Sequence, residues 1–154
     1  MTETVVLGLG NVLRRDEGLG IRALERLVER GTLPAEVTAV DGGTLGLDLI
    51  SHVEGCRNLL VLDAVLAEGE PGTPVVLNND AVPAYFARGD AHDVGLSDLL
   101  AVMRLRGTSP ERLTVMGLRP QTIELGWELS PPVAAAIDRL ADAAAELLSD
   151  WEAA

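Results

Sequence analysis

The chain has 154 residues, 47% of them apolar and 3% aromatic, with 24 acidic and 12 basic side chains and a formal charge of -12. That length supports one domain with a real core and excludes two comfortable ones. The negative field repels phosphate backbones, which argues against nucleic acid and favours a cation or a basic protein segment, although surface solvation explains most such charges.

Strand and helix signals alternate from the start. Residues 4–10, TVVLGLG, form a short Val/Leu run closed by glycine, the mark of a buried strand. Residues 17–30 follow as a helix with Ile21, Leu24 and Val28 on one face, and Gly31 stops it. Residues 36–43, EVTAVDGG, give a second strand, and Thr44 is placed to cap a helix carrying Leu49, Ile50 and Val53. Residues 58–65, NLLVLDAV, are apolar enough for a central strand.

Residues 70–77 read as a turn and a shorter strand, with Pro74 suited to an edge. Residues 78–92 read as a polar loop holding the pair Tyr85-Phe86. A helix over 95–106 turns Leu96, Leu99, Leu100 and Met103 inward, and 112–118 is a further strand. Ser130 and Pro131 open a last helix with Val133, Ile137, Leu140, Ala144 and Leu148 on one face. No linker or repeat interrupts the pattern. The expectation is a single α/β domain over 1–154, a three-layer α/β/α sandwich around a mainly parallel sheet.

Cys56 is the only cysteine, which rules out an intramolecular disulfide and fits a reducing compartment. With no base motif near it, the thiol reads as buried and structural. The N-terminus shows no signal-peptide pattern. The longest apolar run, residues 59–67, is broken by Asp63 and is too short for a bilayer. A soluble, cytoplasmic chain with no membrane partner is expected.

Ligands of such sheets bind beyond the carboxyl ends of the strands. Three turns there carry carboxylates: Asp16 and Glu17 after the first strand, Asp41 after the second, and Asp63 at the end of the third. The opening Gly8-Leu9-Gly10 resembles half of a dinucleotide fingerprint, but Leu13 stands where the third glycine belongs. Two acids at the following helix would also repel a pyrophosphate. Nucleotide binding is therefore the lesser reading, and the glycines serve a tight turn.

Metal binding is the rival. Glu17 and Asp63 project at one end of a parallel sheet. His92 precedes a helix start, where the dipole favours the neutral, ligating ring. Two carboxylates and an imidazole suit a divalent ion such as nickel, zinc or manganese. His52, late in the second helix, reads as a surface or packing residue. The spacing alone is not a compact motif, and solvated acids with a loop histidine explain it more simply.

The whole pattern carries more. LGLGNVLRRDEGLGIRALERL, DGGTLGLDLI, LLVLDAV with PGTPVVL, AHDVGLSDLLAVMRLRG, and VMGLRPQTIELGWELSPPVAAAIDRL occur in this order. Together they resemble the nickel-iron hydrogenase maturation endopeptidases, over nearly the whole chain. The resemblance implies a protease that removes a short C-terminal extension from the precursor of the hydrogenase large subunit after nickel insertion. It implies that the metal arrives in that precursor, with another divalent ion able to occupy the isolated site. By motif, the ligands fall on Glu17, Asp63 and His92, which also serve as the catalytic candidates. Asp41, in the intact DGGT, is a candidate to position or activate water, or else to hold its own turn. The chain departs from the family at Ala91, and at Arg119-Pro120-Gln121, where acids are common; the latter bears on substrate choice. A non-catalytic metal or precursor-binding chaperone is the alternative, ahead of a nucleotide-binding domain.

Overall fold

The computed structural model describes residues 3–87 and 94–153. Five strands form one sheet in the order β2-β1-β3-β5-β4: β1 Thr4–Leu9, β2 Val37–Gly43, β3 Asn58–Ala64, β4 Pro74–Asn78 and β5 Arg112–Leu118. Four strands are parallel and β4 runs antiparallel on the outside of β5. Pro74 starts that edge strand, where a missing N–H costs no ladder bond. β1 and β3 are buried along their whole length, as continuous Val/Leu runs covered on both faces must be.

Two apolar layers close the sheet. On one side α1 (Leu19–Arg30) and α5 (Pro131–Ala153) pack Leu19, Leu27, Ile137, Leu140 and Leu148 against Val6, Leu60 and Leu62. On the other side α2 (Ile50–Val53), α3 (Ala81–Ala87) and α4 (Val94–Leu105) bring Leu49, Val53, Tyr85, Leu99 and Met103 onto Leu7, Leu59 and Val61. This is the expected three-layer sandwich. All five residues predicted for the inner face of α5 are buried.

Four local expectations need correction. The stretch read as a polar loop contains α3. Val82 and Tyr85, three residues apart, share its buried face, and Pro83 sits in the first turn, where no intrahelical N–H is required. The aromatic pair is real, with Tyr85 and Phe86 rings 5.2 Å apart at 71°. In α1 the inner face is carried by Leu27, and Val28 is exposed. A 3-10 turn over Arg15–Gly18 precedes α1 and shifts its start to Leu19. Thr44 caps nothing: Leu45 precedes the 3-10 turn Gly46–Leu49, and no side chain bonds that end. Gly31 does end α1, with φ 63°.

Candidate active site

The sheet reverses its winding at β1. From β1 the chain passes outward to β2, then returns to place β3 on the other side. The crevice at this switch point is where open α/β sheets bind ligands. A cavity of about 230 Å³ lies there, lined by Gly10 and Glu17 from the turn after β1, Gly43 and Thr44 after β2, Asp63 of β3, and Leu96 of α4 among others.

Two glycines make the first turn possible. Gly10 has φ 126°, and a Cβ there would lie 1.8 Å from the carbonyl oxygen of Glu17. Only glycine allows the backbone of Glu17 to fold back onto the end of β1. Gly20 does a second job. A Cβ at that position would lie 2.1 Å from the carbonyl oxygen of Leu62, so its absence lets α1 lie flat on β1 and β3. Close helix-strand packing is the task of the third glycine in a dinucleotide fingerprint. Here the task falls seven residues beyond Leu13, past the two acids.

Asp16 and Glu17 are neighbours with opposite environments. Asp16 is fully buried. Its carboxylate accepts hydrogen bonds from the N–H of Gln121 (2.9 Å), the N–H of Thr122 (3.1 Å), and both the N–H (2.7 Å) and the hydroxyl (2.6 Å) of Ser130. Asp16 therefore neither caps α1 nor opens on the cavity; it ties the turn after β1 to the loop beyond β5. Ser130 stands next to Pro131 as expected, but its hydroxyl donates to Asp16. Glu17, one residue on, is half-buried and lines the cavity.

Asp63 is buried at 3% exposure, and its Oδ1 accepts the Ala64 N–H at 2.8 Å. That bond fixes one oxygen at the carboxyl end of β3. Two carboxylates, one from the turn after β1 and one from the adjacent strand β3, thus share one cavity. Oxygen donors of this kind suit a divalent cation. Among the described residues no three His, Cys, Asp or Glu side chains are grouped to hold a metal. The third predicted ligand, His92, lies outside the described residues; Leu96, four positions further along the chain, lines the cavity.

Asp41 stands apart. It is exposed, its Oδ1 accepts the Gly43 N–H at 3.2 Å, and it borders a groove with Ile21 and Leu24 instead of the cavity. Gly43 has φ 49°, the conformation such an Asx turn stabilises. His52 is exposed at the surface. Cys56 is buried, and burial pushes its thiol up to about 11, which removes it as a nucleophile near neutral pH.

Sequence reasoning missed the contacts that the loop over 119–130 makes. Besides the bonds to Asp16, Arg119 donates through Nε to the Ala67 carbonyl (2.7 Å), Arg15 through Nε to the Glu128 carbonyl (3.0 Å), and Arg22 to the Trp127 carbonyl (2.9 Å). Gln121, part of the departure from the family pattern, contributes through its backbone. Ile123, Leu125, Trp127 and Leu129 alternate with polar residues or glycine, but that pattern gives no sign of the backbone groups this segment offers to Asp16, Arg15 and Arg22.

The fold and the paired carboxylates define a class of protein, a three-layer α/β sandwich with an acid-lined cavity at its switch point. Comparisons specify it. The sequence pattern of the hydrogenase maturation protease family (HycI) matches residues 21–147, a span that includes Asp63 and His92. The chain is 43% identical over 147 residues to the hydrogenase expression/formation protein HupD of Rhodobacter capsulatus, covering 93% of this chain and 70% of the relative. It is 38% identical to the hydrogenase 2 maturation protease of Escherichia coli K12, covering 87% and 83%. Its fold superposes on the hydrogenase maturating endopeptidase HybD of E. coli with a TM-score of 0.87 at 34% identity, covering 96% and 92%. The chain belongs to the hydrogenase maturation protease family and is a peptidase.

Proposed function

We propose that this peptidase removes the C-terminal extension of a nickel-iron hydrogenase large-subunit precursor after nickel insertion, and that Glu17, Asp63 and His92 engage the nickel which that precursor carries. The observation that supports the reading most is the convergence of Glu17 and Asp63 on one cavity at the switch point of the sheet. The carboxylates hold negative charge where the precursor's cation docks. The Ala64 N–H orients the Asp63 carboxylate at the carboxyl end of β3. Glu17 is held by the close approach of its backbone to Gly10. A cation gripped by three protein groups keeps positions for the scissile carbonyl or a water, and polarises either. Asp41, turned to its own loop, is left out of the cation site.

The test uses the precursor in two forms, nickel-loaded and nickel-free, each incubated with the purified chain and weighed by mass spectrometry. The loaded form should lose its C-terminal extension and the nickel-free form should stay whole. Equal cleavage of both, or of neither, would sink the nickel-dependent reading. Nickel binding with an intact precursor C-terminus would favour the chaperone alternative.

A further inference from the structure

Most of the large apolar side chains exposed among the described residues gather at one end of the molecule. Leu13 follows β1, Leu45 and Leu47 follow β2, Leu66 follows β3, and Ile123, Leu125 and Trp127 lie in the loop after β5. Val28, Val76 and Leu105 are the exceptions. Each loop of the first set leaves the carboxyl edge of the sheet, where the acid-lined cavity opens. Scattered exposed leucines need no explanation, but a concentration at one edge does.

The side formed by Leu13, Leu125 and Trp127 is also rigid. The Gly126 N–H donates to the Leu13 carbonyl (2.9 Å) and the Arg15 N–H to the Gly126 carbonyl (3.0 Å), which stitches the turn after β1 to the loop after β5. The Asp16 N–H donates to the Thr122 carbonyl (3.2 Å). Trp127 lies over the guanidinium of Arg22, 5.0 Å from its ring centroid, while Arg22 also donates to the Trp127 carbonyl. Thus the loop directs its backbone polarity inward and its apolar side chains outward. Trp127 remains 60% exposed and Leu125 76%. A fixed, half-covered tryptophan is the residue type that anchors interfaces, because little side-chain entropy is lost on contact.

The cavity itself is small. At about 230 Å³ it falls below the roughly 300–1,000 Å³ of sites that enclose a drug-sized ligand, so it cannot enclose a stretch of polypeptide. A peptidase must nonetheless hold chain on either side of the bond it cuts. Leu13 stands four residues before Glu17, which lines the cavity, so the apolar surface and the cavity share the segment that follows β1. We infer that the Leu13, Leu125 and Trp127 surface is the docking site for an apolar segment of the precursor polypeptide next to its scissile bond. This rests on the proposed function for the identity of the polypeptide. The surface supplies binding and the carboxylates supply the cation site, so the two separate kinetically.

Processing rates measured across precursor concentration test this, with Leu125→Ser and Trp127→Ala against Val76→Ser as an exposed apolar control on β4. Both platform variants should raise KM by about tenfold or more and leave kcat within about twofold, as expected for loss of binding that is equal in ground and transition states. Val76→Ser should change neither. Leu125 is mostly exposed, so Leu125→Ser remains informative if Trp127→Ala fails to fold. A wild-type KM in Leu125→Ser and in folded Trp127→Ala would overturn the inference and leave the protease reading intact. Binding is read separately in a Glu17→Gln, Trp151→Phe background, where Trp127 is the only tryptophan of this chain, with the emission of precursor alone subtracted. Precursor should shift its emission to the blue. A shift without processing by the wild type would keep the docking surface and remove the protease reading; neither shift nor processing would remove both.

Discussion

The turns after β1 and β2 leave the same sheet edge side by side, each with acids and glycines, yet they are built to different standards. The first is locked from inside. Asp16 collects four donors, and Gly10 admits the Glu17 backbone to a distance no other residue would permit. The second is held by Asp41 bonding two residues ahead in open solvent. A carboxylate's task here depends on its burial and its donors, and the letter in the sequence does not reveal it. The first turn fixes the backbone of Glu17, and the second closes only itself.

Substitutions can break this contrast or sharpen it. Asp16→Ala should have the largest effect, a loss of about 3–5 kcal/mol, because it strands buried donors on Gln121, Thr122 and Ser130. Urea unfolding measures it, and a wild-type midpoint would show that the first turn does not depend on Asp16. Next come Glu17→Gln and Asp63→Asn, which should each cut precursor processing by about 100-fold or more, on the order of 3 kcal/mol in transition-state terms. Glu17→Gln should change stability by less than about 1 kcal/mol, since Glu17 is half-buried and faces the cavity. Processing at the wild-type rate in that variant would remove Glu17 from the site.

Cys56 sits between α2 and β3, outside both turns, and offers a reference. Its folded thiol is raised to about 11 from 9.0, so between pH 9 and pH 11 the unfolded chain releases this proton and the folded chain keeps it. Stability contributed by the buried neutral thiol is complete below pH 9 and declines by about 2 kcal/mol as pH rises through that window. Cys56→Ala should flatten the decline in thermal melts; an unchanged slope would assign it elsewhere. The smallest effect belongs to the second turn. Asp41→Ala should cost about 0.5 kcal/mol and alter processing by less than about twofold, measured by the same melts and mass assays. A large fall in activity with intact stability would instead give Asp41 a part in the reaction.

Much of the fold could be read from periodicity. The strands of unbroken Val and Leu, and the inner face of α5 from Val133 to Leu148, are long enough for their pattern to dominate local chemistry. Glu17 and Asp63 could be placed at one sheet edge for the same reason, since parallel strands all deliver their carboxyl-terminal residues and turns to one end. Short elements were less legible. In α3 Val82 and Tyr85 are buried and Phe86 is partly so, too few to distinguish seven residues of helix from a loop. Leu27 takes the inner position expected of Val28 because both fit the spacing from Ile21 and Leu24, and the period alone does not choose between neighbours. Asp16 was illegible as a hub because its partners lie more than a hundred residues away and most of them are backbone amides, which leave no mark in a sequence. Nothing local distinguishes a buried acid from a solvated one when its donors are backbone amides of another loop.

The link between Asp16 and Ser130 also sets an order of events. It joins positions 114 apart, a closure whose entropy is about 4 kcal/mol for a flexible chain. The amino-terminal turn is among the first parts synthesised, yet its lock comes from residues near the carboxyl end. A chain that ends before Ser130 lacks two of the four donors to Asp16. The arrangement makes the acid-lined edge depend on residues from both ends of the domain.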